Sequence, residues 1–174
     1  MSPRPAALVL ALTATGLLPA MAMARAETRV TFLAPQTYTD GNLGWGPVDQ
    51  RLTLEGLERI IGKLAEKRLA SGDDLDVAVL DIDLAGKINP VRAPSGTLRV
   101  MRADTWPSMR LRYTLRRGGR TLARGEETIR SIDYLSDPSA VRSLDPLRFE
   151  KAMLADWFRA RFGGAAPGRL PPAS

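Results

Sequence analysis

Residues 108–130 read SMRLRYTLRRGGRTLARGEETIR, and the fold class follows from this stretch. Met109, Leu111, Tyr113 and Leu115 alternate with Arg110, Arg112 and Arg116. A period of two places the apolar set on one face of a strand and the arginines on the other. Gly118-Gly119 follows, and glycine adopts the positive φ angles of a tight hairpin without steric cost. Arg120 to Ile129 then returns as the partner strand. Leu122 and Ile129 differ in parity, so this strand carries an extra residue, and the expected place for that bulge is Gly125. A hairpin with one apolar face must bury it against another layer.

The candidate layers lie on both sides of the hairpin in sequence. From Thr53, a helix is marked by Leu54, Leu57, Ile60, Ile61 and Leu64 at helical spacing, with Thr53 as its cap and Ser71-Gly72 as its end. A second helix is expected from Asp145-Pro146, with Phe149, Met153 and Trp157 in one row and Leu147, Leu154, Phe158 and Phe162 in another. Gly163-Gly164 stops it. Arg29 to Leu33 reads as a first strand, Leu75 to Leu84 as a second and Thr97 to Met101 as a third. In the second strand Leu75, Val77 and Val79 share one parity while Ile82 and Leu84 take the other. That phase change requires a bulge near Val79-Leu80. Ile132 and Tyr134 would prolong the last strand, and Asp137-Pro138 reads as a turn. The expected fold is therefore α+β, two-layered: a mainly antiparallel sheet of about five strands with two amphipathic helices on one face, in the order β-α-β-β-β-β-α.

Residues 1–26 read as an address. A positive start with Arg4 precedes an apolar run from Ala6 to about Leu18, then Pro19 and small residues. This is the pattern of a secretory signal peptide, with cleavage expected after Ala26, or alternatively after Ala24. The domain would then span 27–162, followed by a disordered tail at 163–174 that contains three prolines. The expected location is the periplasm, without a transmembrane segment after cleavage. The chain has no cysteine, so it has no lipid-modified N-terminal Cys, disulfide or thiolate site. It also has no histidine, which excludes a Ser-His-Asp triad and histidine general base chemistry. Of the 174 residues, 25 are Lys or Arg and 19 are Asp or Glu. Removing Arg4 and Arg25 with the leader leaves a mildly basic chain.

Three constellations stand out. Asp81 and Asp83, two apart on a strand, and Glu126 and Glu127 on another could form an acid/base pair or a hard-cation site if the strands approach. The competing reading is cross-strand pairing with arginine. Arg110, Arg112 and Arg116 form an outward row suited to phosphate groups, with Arg99, Arg102, Arg120 and Arg124 as candidate neighbours. Its competitor is a solvated, salt-paired sheet face. Tyr38, Trp45 and Trp106 lie in loops, either to line a site or to seal the core. The serines lack a G-x-S-x-G context, and no nucleotide-binding loop occurs, so no cofactor is implied.

Several motifs occur in a diagnostic order: Asp81-Ile82-Asp83-Leu84-Ala85-Gly86, Tyr113-Thr114-Leu115, Gly125-Glu126-Glu127, Asp133-Tyr134-Leu135, and Phe149-Glu150-Lys151-Ala152-Met153-Leu154-Ala155-Asp156-Trp157-Phe158. Over roughly Thr28 to Phe162 the chain resembles a family of small exported proteobacterial proteins catalogued as domain of unknown function three-zero-one-six. The resemblance implies export and a single domain, and no activity. Phe149 departs from the Tyr expected before Glu-Lys, which argues against a catalytic hydroxyl there. The sequence points to a non-enzymatic binding or interaction module of the cell envelope. Anionic envelope components or another envelope protein are its expected partners, and nucleic acid is not. The alternative is a carboxylate-dependent hydrolase using Asp81, Asp83, Glu126 and Glu127.

Overall fold

The structure, a computed structural model, describes residues 26–40, 47–88 and 99–163. Its main sheet contains β1 (Glu27–Phe32), β2 (Asp73–Asp83), β5 (Ser108–Arg117) and β6 (Arg120–Arg130), ordered β1-β2-β5-β6. β1 and β2 are parallel and joined through helix α1 (Pro47–Arg68); the other pairs are antiparallel. Helix α3 (Arg148–Phe162) packs beside α1 on the same face. The expected two-layer α+β architecture is therefore present, with four strands in the main sheet among the described residues where about five were expected. The described part of the segment expected as a third sheet strand forms β4 (Arg99–Val100), which pairs with β3 (Lys87–Ile88) in a separate ribbon.

The core forms where the apolar sides meet. Leu57, Ile61 and Ala65 of α1 and Met153, Leu154, Trp157 and Phe158 of α3 are buried against Leu75, Val77, Val79, Met109, Leu111, Tyr113 and Leu115. Alternation in β5 is as clean as its sequence: every second side chain is buried and the arginines between them lie on the opposite face. The bulge expected in β2 is present. Val79 pairs with Leu111 and Asp81 with Arg110, leaving Leu80 as the extra residue.

Other boundaries differ for local reasons. α1 begins at Pro47, not Thr53, since proline suits the first turn and Asp49 sits favourably near the helix N-terminus. Asp137-Pro138 opens a short helix, α2 (Pro138–Arg142), in which the Asp137 carboxylate accepts from the Ser139 and Ala140 amides at 2.8 and 3.1 Å. Asp145 caps the turn before α3 by accepting from the Leu147 amide at 2.9 Å. β6 ends at Arg130, and Tyr134 turns into a second apolar cluster with Ala85, Ala140 and Phe149. The expected leader, most of the expected tail and Trp45 lie outside the described residues.

The bulge in β6 is at Leu122, not Gly125, because the register shifts between Leu115 and Arg116. Gly125 has a different task. It pairs with Tyr113, and a Cβ there would lie 3.0 Å from the Tyr113 ring. The ring occupies the space that a side chain would need. Gly125→Val is expected to cost about 1–3 kcal/mol through overpacking, measured by urea unfolding with an unchanged denaturant slope.

Candidate functional site

With α1 and α3 on one side, the other side of the sheet carries mainly charged side chains. On β5 and β6 this open face carries Arg110, Arg112, Arg116, Arg124 and Arg130 against one acid, Glu126. On β1 and β2 it carries Glu27, Asp74, Asp76, Asp81 and Asp83 against Arg29. The face is thus divided into an arginine half and a carboxylate half.

The arginine row is partly paired. Arg112 donates through Nε and a terminal nitrogen to Glu126 at 3.1 and 2.8 Å, and Arg110 lies 4.0 Å from the same carboxylate. Arg116 bonds Asp76 across the sheet. Even so, the Arg110, Arg112 and Arg116 side chains remain 53%, 58% and 41% exposed, and a guanidinium has five N–H donors. Among the described residues, Arg124 and Arg130 have no acid within ion-pair distance. Arg99 and Arg102 are not part of this row. Arg102 pairs with Asp104 at 3.3 Å, and Arg99 is drawn into the β3–β4 ribbon.

The four acids do not converge. Asp81 accepts from the backbone and the hydroxyl of Thr39, both at 2.6 Å, and Asp83 bonds Lys87. Glu126 serves Arg112, one strand removed from β2. Glu127 points to the opposite, helix-covered side, because neighbouring residues on a strand face opposite ways. There its carboxylate accepts from Trp157 Nε1 at 3.1 Å and from Arg161 Nε at 3.0 Å, tying β6 to α3. The Glu127 and Arg161 side chains are only 12–13% exposed. The candidate hydrolytic cluster is therefore replaced by separate arrangements, and of the four acids Glu126 is the one that forms the expected cross-strand ion pair with an arginine of the sheet. Tyr38 seals the core, its hydroxyl donating to Val79 O at 3.0 Å; burial pushes that hydroxyl up to about 12. Trp106 packs against the second cluster.

A polar centre beyond the bulge was not visible as a unit in the sequence. Arg99 donates to the carbonyls of Leu84, Ala85 and Gly86 at 2.7–3.2 Å and to Asp40 at 2.5 Å. Gly86 makes this loop possible: its φ is +75°, and a Cβ would lie 2.9 Å from the Val100 carbonyl oxygen. On the other side of the same peptide, the Ala85 amide donates to Glu150 at 2.8 Å. Glu150 is 2% exposed, and its second carboxylate oxygen has no hydrogen-bond partner among the described residues. Spacing held a clue, since residues 150, 153, 154 and 157 share the apolar face of α3.

These two acids respond to pH with opposite sign. Burial works to raise the Asp81 carboxyl, but hydrogen bonds from Thr39 and Ile82 and the Arg110 charge hold it below the usual aspartate value. Its contribution is lost as pH falls through that lowered value. Burial pushes Glu150 up despite the Ala85 hydrogen bond and the charges of Arg99 and Arg148. The folded chain then keeps a proton that the unfolded chain has released. Stability declines as pH rises from the usual glutamate value through the raised one. Urea titrations across pH are expected to show Asp81→Asn flattening the acid limb and Glu150→Gln flattening the decline above it. Glu127→Ala is expected to cost about 3–5 kcal/mol, measured by urea unfolding, since it removes the carboxylate that the largely buried Trp157 Nε1 and Arg161 Nε share.

Comparisons with known proteins add a family and one distant likeness. The family model Protein of unknown function (DUF3016) matches residues 26–160. No curated protein matches at a significant level. A solved structure, protein XCC0632 from Xanthomonas campestris, of family DUF330, is similar at 12% identity, covering 86% of this chain and 87% of that one, with a TM-score of 0.33.

Proposed function

The chain belongs to the DUF3016 family, and from that premise we propose that it is a non-enzymatic binding module of the cell envelope that docks anionic groups on the open face of its sheet. The observation that carries this reading is the arginine half of that face, with Arg124 and Arg130 beside the β5 row. Ion pairs with Glu126 and Asp76 hold the β5 guanidinium groups in place while leaving donors directed outward. Preorganised, planar forks of this kind suit phosphate oxygens. The carboxylate half repels the same ligand and so restricts how it can lie.

Export is supported by the three-part pattern of residues 1–26, and in the periplasm the accessible polyanions are headgroups and phosphorylated envelope polymers. A binding role is supported by the residue inventory: without His or Cys, and with the acids held in separate pairs, the chain offers no converging acid–base machinery among the described residues.

Binding to vesicles containing a phosphate-headgroup anionic lipid is expected, with none to zwitterionic vesicles. It should weaken as salt rises, because exposed charges are screened. Arg124→Ala with Arg130→Ala should reduce it about 30-fold, at about 1 kcal/mol per arginine near an anionic surface. Arg110→Ala with Arg112→Ala should act in the same direction. Affinity that stays constant from low to high ionic strength would overturn the electrostatic mechanism.

A further inference from the structure

The helix layer, opposite the arginine face, contains a second feature. A groove of about 770 Å³ runs along α1 beside the start of α3. Leu52, Ile60, Leu64 and Leu147 supply its apolar lining. Gly56 allows this meeting of helices, since a Cβ there would lie 2.7 Å from Leu147 Cδ1. Leu52 is 52% exposed, and Leu144, next to the lining residue Asp145, is 97% exposed.

Cations line the same groove. Arg59, Lys63 and Lys67 follow one another at four-residue intervals on α1, and Lys151 faces the groove from α3. Arg59, Lys63 and Lys67 have no ion pair among the described residues. The lining acids are engaged within the protein: Asp145 lies 3.8 Å from Lys151, and Asp49 has an interaction of its own. An apolar floor with a surplus of unpaired positive charge is complementary to a ligand that is both apolar and acidic.

We infer that this groove binds an acidic amphipathic helix of a partner protein. Leu52 to Lys67 spans about 22 Å at 1.5 Å per residue, which suits an elongated ligand. Residues four apart on a helix are separated by about 6 Å along its axis. Acids at four-residue intervals on a partner helix would therefore repeat in step with Arg59, Lys63 and Lys67. Its apolar side chains, at i, i+3, i+4 and i+7, would enter between α1 and α3 as anchors.

The test uses a labelled synthetic helix of about 18 residues, with leucines on one stripe and glutamates flanking it. Fluorescence anisotropy with the protein should show saturable binding. Replacing its leucines by serine, at unchanged charge, should weaken binding at least about tenfold, the equivalent of about 1.4 kcal/mol. Lys63→Glu with Lys67→Glu should weaken it at least as much while leaving binding to anionic vesicles unchanged. Lys63→Ala with Lys67→Ala should show a smaller loss in the same direction. Both pairs are exposed, and thermal unfolding checks that the fold is kept. No binding of the leucine–glutamate helix overturns the proposal. So does equal binding of the serine version, which would mean charge exchange alone. Loss of vesicle binding in the lysine variants, with the peptide unaffected, would instead make this face a membrane surface.

Discussion

A strand with strict period two cannot bury both Val79 and Ile82, and Leu80 is the extra residue that lets β2 do so. Without it, the second half of β2 would turn Asp81 and Asp83 into the helix layer. With it, Asp81 emerges opposite Arg110 on the open face and Ile82 rejoins the core. The segment after β1 then follows the displaced strand. Leu33 donates its amide to Val79 O at 3.0 Å, Asp40 to Ile82 O at 2.9 Å, and Thr39 closes on the Asp81 carboxylate. Beyond the bulge, Leu84-Ala85-Gly86 is carried to where Arg99 and Glu150 hold it from opposite sides. The second apolar cluster thus depends on one inserted residue.

Polar burial in this protein follows two different patterns. At Glu127 and at Asp73, the buried carboxylate meets a guanidinium; Arg117 Nε lies 2.6 Å from Asp73, which also accepts from the Ala70 amide at 3.0 Å. Such pairs favour this register, since sliding the strands or α3 would part their members. They do not by themselves imply a large net stabilisation, since desolvating two charges offsets much of their attraction. Glu150 is different. One oxygen accepts from the Ala85 amide, and among the described residues the carboxylate has no ion pair, so burial favours its neutral form. It joins α3 to the Arg99 loop through a single amide.

Period and punctuation made much of this fold legible. The alternation in β5, the Gly118-Gly119 hairpin and the phase change at Leu80 could each be read because they depend on local sequence. Local sequence misleads where a tertiary neighbour decides. Gly125 looked like a bulge because glycine often marks one, yet it is small to admit the ring of Tyr113. Thr53 looked like a cap because an apolar stripe began beside it, whereas Pro47 had already started the helix. Residues 99–100 form a strand only against 87–88, so local propensity said little about which sheet they join. The open-face arginines were legible, since strand parity sets direction. Their partners were not, because the contacts between Arg112 and Glu126 and between Arg116 and Asp76 require the register of three strands. The groove is hidden for the same reason: Arg59, Lys63 and Lys67 are a plain four-residue repeat on a helix until α3 is placed beside them.

Net charge is a poor guide to this surface. Outside residues 1–26 the chain is only mildly basic, which argues against a generic polyanion binder. Yet the charge is segregated: carboxylates gather on β1–β2, arginines on β5–β6 and cations along one stripe of α1. Segregation matters more than the sum because screening confines each group's influence to about 8–10 Å at physiological salt. A ligand at β6 therefore responds mainly to Arg124, Arg130 and the nearby β5 row, while the acids two strands away act on its orientation. A ligand at α1 would lie on the opposite side of the sheet and core. The two faces share no residue, so a partner helix on one and an anionic surface on the other need not compete.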